Sequence, residues 1–261
     1  MGLINDFYNH MKDSIKEKVD GIEKNNDVKV LLAIESGSRA WGFASPDSDY
    51  DVRFVYVQPR NNYLSIRERK DVIELPVNAV LDISGWDCKK VLQLFLKSNA
   101  TLYEWLQSPI VYKEEGGFAS ELRELMPVYF SLRAGGHHYL SMAINTYEND
   151  LQGAEVKLKK YFYALRPALA CRWIVENGTV PPMEFAALRT LIADSGWNAV
   201  VDDLLERKKG ADEKALIPVV PELQRWIIQT LEFCKEKTDL LVPVKHDTVQ
   251  LDKLFRKYID L

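Results

Sequence analysis

The chain has 261 residues, 47% of them hydrophobic and 28% charged, and 34 Lys and Arg against 38 Asp and Glu leave a formal charge of −4. That length and apolar content bury a full core, in one large domain or two small ones, and exclude disorder of the chain as a whole. The acidic balance excludes nucleic-acid binding by bulk attraction, so any such contact is local.

From the N-terminus, Phe7, Met11, Ile15, Val19 and Ile22 recur at spacings of three and four, which predicts an amphipathic helix over Asp6 to Lys24. Val28 to Ile34 is an apolar run broken only by Lys29, rich in β-branched residues and followed by Ser-Gly-Ser. This is the pattern of a buried strand entering a turn. A second strand is expected at Tyr50 to Val57, and two more at Val72 to Leu75 and Ala79 to Ile83. Helical spacing returns in Asp87 to Ser98 through Val91, Leu92, Phe95 and Leu96, with Asp87 as the N-cap.

Beyond about Ser120 helical periodicity takes over, in Phe130 to Asn149, Gly153 to Glu176, Glu184 to Asp194, Asn198 to Lys209 and Pro221 to Lys237, and strand signals are almost absent. Pro167 has no N–H to give, so a kink or a new helix start is expected near Arg166. Glu114-Glu115-Gly116-Gly117 holds no core residue and reads as a surface linker. It separates a mixed α and β part, 1–115, from a helical part, 116–261. Glu206 to Lys214 reads as a charged loop.

Cys88, Cys171 and Cys234 are odd in number and far apart in the chain, and spell neither a disulfide framework nor a CxxC metal site. The expected compartment is the reducing cytoplasm. No apolar run approaches the roughly 18 to 20 residues of a membrane span, so no membrane partner is expected. His137 and His138 diverge by about 100° on a helix, and no HExxH spacing indicates zinc. No G-x-S-x-G elbow supports a serine hydrolase.

Chemistry concentrates between Ala33 and Val57. Gly37 and Ser38 come where the first strand ends, and Asp49 and Asp51 stand two apart at the start of the second. Residues two apart on a strand share a face. Two such carboxylates repel unless a cation lies between them, and their hard oxygens suit Mg²⁺. A glycine lets backbone approach a phosphate, to which amide N–H groups and the Ser38 hydroxyl donate. Helical character in Arg39 to Phe43 would add a favourable dipole. Either feature alone is commonly a solvated turn; their order along the chain joins them into one site.

GSRAWGFASPDSDYD resembles the signature of the nucleotidyltransferase superfamily typified by DNA polymerase beta, in which Gly-Ser is followed by a strand-borne Asp-x-Asp. ESGSRAWGF, DISGWDCKKVLQLFLKSNATLYEWLQSPIVY and KLKKYFYALRPALACRWIVENGTVPP extend the likeness to the bacterial and phage DNA-polymerase-beta-like proteins of RNA repair pathways, over about Glu35 to Pro182. The resemblance implies an α+β fold: an N-terminal nucleotidyltransferase-type mixed sheet with flanking helices, then an all-helical domain contributing to the substrate cleft. It implies transfer of NMP from an NTP such as ATP to a hydroxyl acceptor, with Mg²⁺ or Mn²⁺ as cofactor and loss of pyrophosphate. The acceptor it suggests is RNA, a tRNA or an RNA end. Protein or small-molecule nucleotidylation, or a non-catalytic nucleotide- or RNA-binding module, are the alternatives.

In that superfamily Asp49 and Asp51 would hold the metal, and a third carboxylate from a later strand completes the set. Asp82, an acid inside an apolar strand, is the candidate; Asp87, well explained as an N-cap, is its competitor. Glu35 and Glu74 are further acids near strand ends, and Glu35 is read as structural. Gly37 and Ser38 would bind phosphate, with Arg39 beside them. Lys157, Lys159, Lys160, Arg166 and Arg172 gather charge among Tyr161, Phe162, Tyr163 and Trp173. Charge runs of this kind are commonly solvated helix faces; the resemblance assigns Lys160, Tyr163 and Arg166 to nucleotide binding. Trp41, Trp86 and Trp105 read as packing residues, with Trp41 near enough to the turn to cover a nucleotide.

Overall fold

The computed structural model describes residues 2–77, 80–210 and 215–260. α1 (Gly2–Asn26) leads into β1 (Lys29–Glu35), the short α2 (Gly37–Trp41) and β2 (Tyr50–Val57). Then come α3 (Arg60–Tyr63), β3 (Val72–Glu74), β4 (Leu81–Asp87), α4 (Cys88–Leu96), α5 (Ala100–Leu106) and β5 (Val111–Glu114). After α6 (Phe118–Tyr129) and α7 (Leu132–Asp150), β6 (Glu155–Lys157) precedes α8 (Leu158–Asn177), α9 (Phe185–Arg189) and α10 (Ser195–Gly210). β7 (Leu216–Pro218), α11 (Pro221–Leu240) and α12 (Val249–Ile259) complete the chain. Ala79, the expected first residue of the fourth strand, lies outside the described residues, as do 211–214 of the expected charged loop and the side chain of Phe7.

The fold is mixed α and β, as the sequence predicts. Five strands form one sheet in the order β3-β4-β2-β1-β5, with β2 and β4 parallel and the other neighbours antiparallel. Ile15, Val19 and Ile22 of α1 pack on one face, against Val30, Ala33, Val52, Phe54 and Ile83. The other face, through Leu31, Leu32, Ile34 and Val55, joins the core of the helices. A register shift between Val30 and Leu32 lets the neighbours Leu31 and Leu32 enter the same core. Burial on both faces explains the unbroken apolar run. α7, α8 and α11 pack together, and one apolar core continues from Leu31 to Tyr258 of α12.

Several elements differ from expectation. β5 extends the sheet beside β1, so Glu114 is a strand residue rather than linker and receives Arg123 at 2.7 and 2.9 Å. Its four residues are too few to announce a strand locally; the open edge of β1 recruits them. The turn itself follows at Gly116 and Gly117, whose φ values of 69° and 79° suit glycine. β6 and β7 pair antiparallel inside the part read as helical, so helix begins at Leu158 and not at Gly153. β4 runs on to Asp87, and Glu206 to Gly210 belong to α10 rather than to a loop. α8 passes through Pro167 as a single helix, with twelve of its residues buried to offset the lost backbone bond. Cys171 of α8 donates to the Gly136 carbonyl of α7 at 3.3 Å and meets Thr238 Oγ1 of α11 at 3.6 Å.

Candidate active site at the acidic strand ends

Parallel pairing of β2 with β4 sets Asp51 directly opposite Asp82. Neighbouring strands lie about 4.8 Å apart, so the two carboxylates share one end of the sheet. Asp49 precedes β2 by one residue and is exposed. Asp87, the competing acid, ends β4, about 16 Å along the strand from Asp82 at strand rise. There it caps α4 by accepting the Lys89 N–H at 2.8 Å and takes the Tyr63 hydroxyl at 2.8 Å.

Arg53 answers the repulsion between the two acids. Its Nη2 lies 3.3 Å from Asp51 Oδ1 and 2.8 Å from Asp82 Oδ2, while Nη1 donates to the carbonyls of Val52 and Asp82. The spacing rule that pairs Asp49 with Asp51 extends to Arg53, two residues further along the same strand face. Sequence reading missed it although the signal was there.

Gly37 takes a φ of 63° and sits so close to Asp51 that a Cβ on it would collide with Asp51 Oδ2. The cradle therefore requires glycine. Ser38 follows, buried in α2. Arg39 spans α2 and the loop before Asp49, donating to the carbonyls of Asp49 at 3.1 Å and Ser48 at 2.5 Å and covering the Tyr50 ring at 3.8 Å. That loop is tied in turn to the helical part through Lys208 Nζ on Ser45 Oγ, 3.2 Å.

Glu35 is fully buried behind Asp51. Burial pushes its carboxyl up to about 7, against hydrogen bonds from Tyr112 and the Asp51 N–H that favour the charged form.

The cations expected on α8 are placed differently from one another. Lys160 is half-buried, pairs with Asp150 at 2.8 Å and lies 5.7 Å from the Tyr163 ring. Tyr163 meets Trp41 edge-on at 5.6 Å, which brings this part of α8 against α2. Arg166 is buried. Its Nη1 donates to Glu104 Oε1 at 3.0 Å, its Nε to the Met183 carbonyl at 3.0 Å, and its guanidinium lies 4.5 Å from the Trp41 ring. Trp41 Nε1 and the Tyr139 hydroxyl also donate to Glu104, at 3.2 and 2.8 Å. Arg166 thus touches the Gly-Ser helix through Trp41 and is not brought to the acidic strand ends. Arg172 pairs with Glu176 at 2.7 Å on the same helix.

The residues fit a divalent metal in donor chemistry: hard carboxylate oxygens, with a glycine cradle against one of them. Arg53 supplies the positive charge between Asp51 and Asp82, and no cluster of three or more metal-holding side chains is formed among the described residues. A cation between Asp51 and Asp82 would take the place that Arg53 Nη2 holds. No helix among the described residues is long and apolar enough to cross a membrane.

Comparison with known proteins bears on these features. Residues 11–257 match the model of the RNA repair pathway DNA polymerase beta family. The uncharacterized protein YcgL of Bacillus subtilis (strain 168) is 45% identical over 252 residues, covering 96% of this chain and 97% of that protein. A nucleotidyltransferase-like protein from Exiguobacterium sibiricum 255-15 is 10% identical with a TM-score of 0.30, over 86% of this chain and 74% of that one.

Proposed function

The chain belongs to the RNA repair pathway DNA polymerase beta family, and from that premise we propose that it is a metal-dependent nucleotidyltransferase moving NMP from an NTP to a hydroxyl acceptor. The observation that carries the reading is the register of Asp51 on Asp82, with Gly37 pressed against Asp51. Asp49, Asp51 and Asp82 would hold Mg²⁺ or Mn²⁺, which when bound neutralises triphosphate charge and acidifies a nearby hydroxyl. Family membership supports the transfer chemistry; the acceptor is inferred here.

In the reaction, the acceptor oxygen forms a bond to the α-phosphorus as the bond from that phosphorus to the α–β bridging oxygen breaks. The electron pair leaves with pyrophosphate. The acceptor proton passes to Asp82 Oδ2, the oxygen that Arg53 occupies in the resting arrangement, and from there to water. Gly37 and Ser38 bind the departing phosphates, and Arg39 steadies the loop that presents Asp49. Arg53, once released from the carboxylates, faces phosphate charge. Residues 1–115 carry the chemistry and 116–261 close the cleft through Tyr163 and Lys160. Tyr163 and Trp41 form an aromatic edge beside the turn, and Lys160 contributes charge to nucleotide binding.

An RNA end is the acceptor we infer from the family. A protein or small-molecule acceptor is the second reading, favoured by the net charge of −4 and by the neutralisation of Lys160, Arg166 and Arg172 by Asp150, Glu104 and Glu176. The compartment we infer is the cytoplasm, on the free thiols of Cys88, Cys171 and Cys234.

The test incubates the protein with each α-labelled NTP, Mg²⁺ or Mn²⁺, and tRNA, short RNA ends or cell extract. Label is expected on an acceptor with wild type and absent with Asp49→Ala/Asp51→Ala. Its gel position separates RNA from protein. Equal transfer by the folded double variant defeats the site, and metal-dependent NTP binding without transfer to any acceptor favours a binding module.

A further inference from the structure

Glu35 ends β1 and is fully buried. A buried carboxyl costs more than an amide or apolar side chain of similar size unless its oxygens are used. Both are. The antiparallel ladder between β1 and β2 stops at Glu35 and Val52, so the Asp51 N–H, one residue beyond, has Glu35 Oε1 as its acceptor at 2.7 Å. The Ser36 N–H donates to the Asp51 carbonyl at 2.8 Å, so both peptide groups of Asp51 are held by two consecutive residues. Glu35 Oε2 accepts the Tyr112 hydroxyl of β5 at 2.5 Å. Its own backbone is pinned on the same side, N–H to the Ile110 carbonyl at 2.9 Å and carbonyl from Ser108 Oγ at 2.6 Å. The contacts form a line from β5 through Glu35 to Asp51, and Asp51 faces Gly37 and Arg53 at its other end.

We propose that Glu35 is a positioning residue for the transfer reaction inferred above, fixing the Asp51 carboxylate against the Gly37 turn through the Asp51 N–H. Sealed from solvent, it touches no substrate. Its removal therefore alters turnover rather than nucleotide capture.

Wild type, Glu35→Ala, Glu35→Gln and Tyr112→Phe are each checked for folding by thermal melt. They are then compared in labelled-nucleotide transfer across NTP concentrations and in Mn²⁺ binding by electron paramagnetic resonance. Folded Glu35→Ala is expected to lose about tenfold to a hundredfold in kcat with KM within about twofold, the scale of a small misplacement of a reacting group. Glu35→Gln keeps an oxygen for the Asp51 N–H and returns kcat to within about threefold. Folded Glu35→Ala with wild-type kcat, or a loss confined to KM, overturns the proposal. If Glu35→Ala does not fold, the decision passes to Tyr112→Phe, in which a lower kcat at constant KM supports the role and an unchanged kcat overturns it. If wild type transfers no label, the transfer reading fails separately and Mn²⁺ binding decides. Weaker Mn²⁺ affinity in Glu35→Ala, restored in Glu35→Gln, then supports positioning; equal affinity, or no Mn²⁺ binding by wild type, overturns it.

Discussion

Two arginine–carboxylate groups stand on either side of the Gly-Ser helix, and they differ in exposure rather than chemistry. Arg53 bridges Asp51 and Asp82 with side chains 18%, 33% and 35% exposed; Arg166 meets Glu104 at 2% and 7%. Water reaches the first group, so its charges are screened and its cation is exchangeable. The second is closed: Trp41 and Tyr139 donate to Glu104, the Met183 carbonyl accepts from Arg166 Nε, and the guanidinium lies against the Trp41 ring. An ion pair at the proposed metal site needs the first environment. An ion pair that holds a helix in place needs the second.

The largest effect is expected from breaking the closed pair. Arg166→Met leaves Glu104 buried without its cation and should cost about 3 to 5 kcal/mol in urea unfolding. Pairing it with Glu104→Gln should recover part of that loss. An additive double variant would show that the two charges do not act together.

Glu35 is a third case, an acid next to the open pair but shut away like the closed one. Its carboxyl is raised to about 7 from an ordinary value of 4.5, so the folded protein holds that proton more tightly than the unfolded chain. Its contribution is fully favourable below about pH 4.5 and is lost as pH rises through about 7. The stability of Glu35→Gln relative to wild type should rise between those limits by about 2 to 3 kcal/mol, as read from chemical unfolding at several pH values. A pH-independent difference would contradict the assignment.

Gly37→Ala tests how tightly the open pair is seated. With a φ of 63° and Asp51 Oδ2 in the way of the added carbon, the variant should lose about 1 to 3 kcal/mol through strain. It should also displace Asp51. Transfer activity falling with little loss of melting temperature would sharpen the comparison, because it separates site geometry from fold.

The smallest stability effect belongs to Arg53→Ala, about 1 kcal/mol at a half-buried pair that water still reaches. Its signature is metal dependence. Without Arg53, Asp51 and Asp82 repel, so Mg²⁺ should raise the melting temperature more in the variant than in wild type. An equal rise in both would mean that Arg53 does not compete for the metal position.

The strand run before Gly37, the Asp-x-Asp where β2 begins and an acid in a later apolar strand were legible in local pattern, because strand periodicity and turn chemistry act over a few residues. Asp87 was separable from Asp82 by its N-cap pattern, and the structure shows that cap. Arg53 was within reach of the same period-two rule. The α12 stripe of Leu251, Leu254 and Tyr258 was missed, although its spacings of three and four carry the helical signal. β5, β6 and β7 were not legible. Three or four residues carry too little pattern, and each strand exists because a distant edge accepts it.

The sequence by itself determined the alternation of elements, the glycine at the turn and the acids near it, since these follow from backbone preference and side-chain spacing along one segment. Tertiary structure decided which charges meet. Asp51 faces Asp82 through strand register, and Arg166 is drawn to Glu104 instead of the strand ends because helix packing closes around both. Local periodicity carries no information about such pairings, which are selected by burial: a charge enclosed by apolar helices must find its partner there, while one at a sheet end stays within reach of water.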